Sequence, residues 1–235
     1  MRPIHVSVIA GLSLATLGIC QAEVEGDVHV GINNEYIWRG ADQGGGSMAE
    51  AGIDLSTQYA GLDLSAGIWY ASVHGAGTFD EVDYYASVGK DLGFANVEVG
   101  YIYYDFPSTA GASNLGELYT SLSREFAGVD VGLTYYWDIE GDNDGYTELT
   151  FDKSIDLSSC CSLDFGATIS YDVETNDVHH YGLSTALNWA YNDTLTVSPY
   201  VSVTFAEDGA QTGALATSAT QDDEIFGGIL VSAAF

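Results

Sequence analysis

Gly52-Ile53-Asp54-Leu55-Ser56-Thr57-Gln58-Tyr59-Ala60-Gly61-Leu62-Asp63-Leu64-Ser65-Ala66-Gly67-Ile68-Trp69-Tyr70 decides the fold class. Before Ala60-Gly61, the residues Ile53, Leu55, Thr57 and Tyr59 take one face, against Gly52, Asp54, Ser56 and Gln58 on the other. Beyond it, Leu62, Leu64, Ala66, Ile68 and Tyr70 oppose Asp63, Ser65, Gly67 and Trp69. Period-two alternation on both sides of a tight turn reads as a β-hairpin. Each arm runs for about ten residues, which suits a tilted membrane strand better than the ~5 to 6 residues of a soluble sheet.

The rhythm continues outward. Val97, Val99, Tyr101 and Tyr103 oppose Glu98, Gly100, Ile102 and Tyr104, while Leu163, Phe165, Ala167, Ile169 and Tyr171 oppose Asp164, Gly166, Thr168, Ser170 and Asp172. Tight turns at Ala60-Gly61, Leu92-Gly93-Phe94, Ala127-Gly128, residues 159–162 and Asn192-Asp193 recur at roughly 33-residue intervals. Longer polar segments separate them at 41–47, 73–80, 106–114, 139–145, 174–178 and 207–223. Short turns at one end and long loops at the other are the connections of an outer-membrane barrel. Strands are predicted at 26–38, 48–59, 62–72, 81–91, 95–105, 115–126, 129–138, 146–155, 162–173, 179–191, 194–206 and 224–235. The expected fold is therefore all-β, a transmembrane up-and-down antiparallel barrel of about twelve strands in residues 23–235, with both termini in the periplasm.

A secreted sandwich or lipocalin-like barrel would also alternate, but its apolar face would turn inward and need no aromatic rim. Tyr36, Trp38, Tyr59, Tyr70, Tyr84, Tyr101, Tyr103, Tyr135, Trp137, Tyr171, Tyr181 and Trp189 fall on the apolar face, mainly towards strand ends. That is the placement of interfacial girdles contacting outer-membrane lipid. The last strand carries Ile229, Val231, Ala233 and Phe235 on one face. Its terminal Phe235 resembles the recognition signal of the barrel assembly machinery.

Residues 1–22 read as a secretory signal: Arg2, an apolar run from Val6 to Leu17, and a small-residue end at Ala22. Leu17 and Cys20 allow a lipoprotein reading, but Ile19 is bulkier than a lipidation site favours. The chain holds 34 acidic and 5 basic residues, a formal charge of −29. Without Arg2 the mature segment has 4 bases and a charge of −30. No basic surface exists for phosphate contacts, so nucleic acid is excluded as a partner.

At Asn34-Glu35-Tyr36-Ile37-Trp38-Arg39-Gly40-Ala41-Asp42-Gln43, then Gly52-Ile53-Asp54, then Gly61-Leu62-Asp63-Leu64 to Gly67-Ile68-Trp69, the chain resembles the proteobacterial TorF porin family. The shared pattern is an aromatic followed closely by Arg-Gly, a glycine-led strand, and a Gly-aromatic-x-x-Gly-x-Trp strand. Leu62 replaces the aromatic and Ala41 the usual branched residue. The resemblance is strong over residues 26–72 and implies an outer-membrane pore without naming a solute.

Under the predicted register His29, Glu35, Arg39, Asp54, Asp63, Glu98, Asp130, Asp164 and Asp172 line the lumen. Arg39 is expected to form a luminal salt bridge that fixes the external mouth, with Glu35 and Glu50 near it in sequence; solute recognition is the other reading. An open lumen of this charge would prefer cationic or neutral solutes. Large inward residues, Trp69, Ile102 and Tyr104, keep open the alternative of a non-conducting structural or adhesive barrel. Asp138, Glu140, Asp142 and Asp144 alternate before Gly145 as calcium loops do, although Phe151 stands where a late Glu is expected; a solvated acidic loop is the other reading. Cys160-Cys161 lies in a periplasmic turn, and His179-His180 is expected to place one ring on each face of its strand. His74 with Asp80, Glu81 and Asp83 shows no spacing beyond chance in so acidic a chain, so no enzyme is expected.

Overall fold

The computed structural model describes residues 23–75, 78–108, 114–140, 145–207 and 222–235. The signal segment 1–22 and the loop acids Asp142 and Asp144 lie outside them. In chain order the strands are β1 (Val24–Asn33), the two-residue β2 (Ile37–Trp38) and β3 (Ala41–Asp42), β4 (Ser47–Tyr59), β5 (Leu62–His74), β6 (Phe79–Asp91), β7 (Asn96–Asp105), β8 (Leu115–Phe126), β9 (Val129–Asp138), β10 (Gly145–Ser158), β11 (Cys161–Asp172), β12 (Asp177–Ala190), β13 (Leu195–Ala206) and β14 (Glu224–Ala234). β2 and β3 pair only with each other. The other twelve form a closed antiparallel barrel, in which β1 joins β4 on one side and β14 on the other.

Closure leaves no sheet edge, which a span through hydrocarbon requires because lipid offers backbone groups no hydrogen bonds. Gly26 and Phe235 exchange backbone hydrogen bonds of 2.9 and 2.8 Å, so the seam is sealed at the end that holds both the start of β1 and the C-terminus. Ala60 and Gly61 have φ of 53° and 75°, the paired positive angles of primed hairpin turns.

Val30, Ile32, Ile68, Val99, Leu133 and Leu183 are exposed on the outer surface, together with Tyr59, Tyr70, Tyr84, Trp137, Tyr181 and Trp189. An exposed apolar belt of this extent is the lipid-facing surface of a membrane barrel.

Three sequence expectations are corrected. The first strand does not run over 26–38: β1 stops at Asn33, where Asn34 leaves the wall and its side-chain oxygen accepts from the Gly227 N–H at 2.6 Å. Tyr36 and Trp38 then turn inward and are buried, 3 % and 6 % exposed, instead of joining the lipid girdle. Alternation continues through this stretch in the sequence, but packing against Trp69, Phe79 and Tyr104 removes both rings from solvent altogether. Residues 41–47 are likewise not a simple external loop, since Ala41, Asp42 and Gln43 are buried. Finally, a register shift on β11 between Ser170 and Tyr171 pairs Ser170 with His180 but Tyr171 with Val178. This bulge brings both His179 and His180 indoors, their ring centroids 5.8 Å apart.

Candidate functional site

The loop after β1 folds into the barrel as a minute hairpin. Ile37 pairs with Asp42 and Trp38 with Ala41, which leaves Arg39 and Gly40 as a two-residue turn with φ of 50° and 78°. Gly40 suits the second position doubly: its φ is left-handed, and a Cβ there would fall 2.6 Å from the His180 ring. Arg39 has no such freedom. Its positive φ is a strained conformation that only strong tertiary contacts hold.

Those contacts are present. Arg39 Nη1 and Nη2 donate to the two carboxylate oxygens of Glu117 on β8, each at 2.8 Å. Planar guanidinium and carboxylate match in a two-bond fork, the strongest form of charged hydrogen bond. The guanidinium carbon also lies 4.3 Å from the Trp38 ring centroid, 4.9 Å from that of Tyr136 and 4.2 Å from that of Tyr146. Cation–π attraction at a desolvated site of this kind is worth about 2 kcal/mol. Tyr104 donates its hydroxyl to Glu117 at 2.8 Å and orients the carboxylate.

The return arm is held by its own backbone and by Asp42. Gln43 N–H donates to the Tyr36 carbonyl at 2.9 Å, and its buried amide donates to the Ala41 carbonyl at 3.1 Å. Asp42 accepts from the N–H groups of Gly44 and Gly45 at 3.0 and 2.9 Å, a turn that carries the chain back to β4. Burial foremost, and then the neighbouring Asp42, push the Glu35 carboxyl above its usual range. The hairpin thus reaches from Trp69 on β5 to His180 on β12. Those strands are separated by six others on one side of the barrel and four on the other, so the hairpin crosses the lumen close to a diameter.

Towards the end that holds the C-terminus the lumen is acidic. Asp63 accepts from Gln58 at 2.8 Å, Glu98 from the Tyr119 hydroxyl at 2.5 Å, and Asp164 from Asn188 at 2.7 Å and Ser154 at 2.6 Å. Asp130 stands directly across from Asp152, and Asp54 directly across from Asp27. His29 is buried beside that second pair. Asp172 sits at the opposite end, in register with Tyr146, where it accepts from Thr175 N–H at 3.0 Å. Asp138 accepts from Glu140 N–H at 2.8 Å, an ordinary turn bond.

The structure therefore assembles Arg39 with an acid that sequence proximity did not suggest. Glu50 is engaged by Asn33 and by the Trp69 indole, each at 2.9 Å, and Glu35 lies outside the ion pair. Glu117, Tyr146 and Gln43 are not among the site residues expected from sequence, and Tyr104, expected only as inward bulk, is the donor that orients Glu117. Strand alternation carries a signal for Glu117, since Leu118 beside it is exposed and Glu117 must then face inward.

No family model matches the chain, and no curated protein matches it. Among solved structures it is similar to the KdgM porin in complex with disordered oligogalacturonate, with a TM-score of 0.53 and 12 % identity over 90 % of this chain and 99 % of that one. It is similar to the NanC porin, with a TM-score of 0.55 and 12 % identity over 88 % and 98 % of the two chains. An outer-membrane channel from Pseudomonas putida F1 gives 0.53 and 8 % over 93 % and 97 %. The likeness is one of fold, and it carries the TorF resemblance of residues 26–72 no further. Closed by twelve antiparallel strands, belted with exposed aromatic and aliphatic side chains, and shaped like these proteins, the chain has the fold of a bacterial outer-membrane barrel.

Proposed function

We propose that this protein is an outer-membrane channel of the TorF type for small cationic or neutral solutes, restricted by the hairpin of residues 36–43. One observation carries the choice of solute charge: no base lines the periplasmic half of the lumen. Of the four bases in residues 23–235, Arg39 is consumed by Glu117. Lys90, Arg124 and Lys153 stand on the outward face, opposite Val97, Val131 and Phe165. There Lys153 donates its ammonium to the Gly128 carbonyl at 2.5 Å. The acids inside are left to set the field, which concentrates cations and repels anions. Oligogalacturonate, the ligand named for one structural neighbour, is a polyanion and would enter against that field.

Phe235 is proposed as the handle for barrel assembly, its ring lying over Gly26 where β14 closes on β1.

Single-channel recording in planar lipid bilayers under a potassium chloride gradient tests the reading. Discrete openings with a reversal potential of cation sign are expected. The buried hairpin favours a second reading, a sealed structural barrel. A bilayer that stays silent for the parent protein, and also for a variant lacking the Arg39–Glu117 pair, overturns the channel in favour of it.

A further inference from the structure

The strongest feature outside the hairpin is on the lumen wall where β1 meets β4. Asp27 and Asp54 are directly opposed in the register, and like charges at such positions repel. Two residues along the same face His29 is opposed to Gly52. The imidazole occupies the space that glycine leaves, since a Cβ on Gly52 would sit 2.4 Å from His29 Cε1. This seating aims His29 Nδ1 at both acids, 3.8 Å from Asp27 Oδ1 and 3.6 Å from Asp54 Oδ2. These are ion-pair separations, longer than a hydrogen bond, and the three groups converge on a common point. One donor atom from each of the three lies within 4.8 Å of the others, a separation that a single ion can bridge. The imidazole is buried, whereas both carboxylates remain partly open to the lumen, which leaves an entry path.

The arrangement also has an outer layer. Tyr85 on β6 donates its hydroxyl to Asp54 Oδ1 at 2.5 Å, leaving Oδ2 directed at His29. An oriented carboxylate with one free oxygen is what a metal ligand requires of its supporting shell.

We propose that Asp27, His29 and Asp54 form a binding site for one divalent transition-metal ion, of which Zn2+ is the representative. One imidazole and two carboxylates suit a borderline cation such as Zn2+, Co2+ or Ni2+. Calcium and magnesium prefer a set made of oxygen alone. The bound ion would remove the repulsion between Asp27 and Asp54 and tie β1 to β4 below the hairpin. Its existence does not depend on conduction, because the ion can bind a barrel that passes no current.

The test is calorimetric titration of Zn2+ into the tag-free mature barrel in detergent micelles, in a Cys160→Ser, Cys161→Ser background that removes competing thiols. Binding of one equivalent is expected, with Ca2+ unable to displace it. His29→Asn and Asp54→Asn should each weaken affinity by more than about 100-fold, and Tyr85→Phe by roughly 10-fold, the scale of an outer-layer contact. Circular dichroism and heat-modifiable electrophoretic mobility confirm that each variant is folded. Should one variant misfold, absorbance of Co2+ bound to the parent reports whether a nitrogen ligand is present. Equal affinity in folded His29→Asn and Asp54→Asn, displacement by Ca2+, or no binding by the parent would each overturn the site.

Discussion

The two halves of this lumen are built on the same twelve strands and the same inside-outside alternation, yet one is packed with aromatic rings around paired acids and the other presents acids that are largely exposed. In the half that holds the hairpin the inward positions include Trp69, Ile102, Tyr104, Tyr119 and Tyr146, all buried, and the buried acids Glu50 and Glu117, which are bonded by Trp69 and by Arg39 and Tyr104. In the half nearer the C-terminus they include Asp63, Asp130, Asp152 and Asp164, of which Asp63, Asp130 and Asp152 are exposed. Eight strands enclose an interior that wall side chains fill, and twelve enclose a wider one. Filling it takes a second layer, which the hairpin supplies in one half only. On the proposed function, the half filled by the hairpin restricts passage and the acidic half selects by charge.

The sharpest way to break this contrast is Arg39→Ala. It strands a buried Glu117 carboxylate and removes the contact that holds a strained turn, at a cost of about 3 to 5 kcal/mol to the seated hairpin. Limited proteolysis should then cut near residues 36–43 and single-channel conductance should rise; a protease-resistant hairpin with parental conductance would mean that the pair does not restrict the lumen.

Gly40→Ala is expected to act in the same direction but more weakly. Its Cβ would enter the ring of His180, which cannot readily retreat because Ser170 Oγ holds Nδ1 at 2.6 Å. With the left-handed φ added, the cost is about 1 to 3 kcal/mol. Thermal release of the hairpin, followed through Trp38 fluorescence, should move to lower temperature.

The smallest effect on stability has the opposite sign and probes the other half. Asp130→Asn relieves the repulsion with Asp152 and should stabilise the barrel by about 0.2 to 1 kcal/mol in denaturant titration. The same variant should shift the reversal potential towards zero. Unchanged ion preference in Asp130→Asn combined with Asp63→Asn would place selectivity elsewhere than in the acidic half.

Much of this organisation was legible from local pattern. The hairpin around Ala60-Gly61 and the inward placement of Asp54, Asp63, Glu98, Asp130 and Asp164 follow from period two alone. Once one face of a strand meets lipid, the register assigns every other residue inward. The same logic failed after Asn33. Tyr36 and Trp38 keep the alternation of an outward face, and nothing nearby in sequence tells a strand in the wall from a strand turned into the lumen. It failed again at His179, where a single bulge exchanges faces.

Alternation and charge thus determine by themselves that the chain forms a closed membrane barrel with a surplus of acid, because each depends only on neighbours along the chain and on the solvent each face meets. Tertiary structure alone decides that Arg39 finds Glu117, 78 residues away, that the hairpin of residues 36–43 crosses the lumen, and that Asp27, His29 and Asp54 converge. These are contacts between strands distant in sequence or between side chains across a seam. Their geometry exists only after the barrel has closed and set which inward positions face one another.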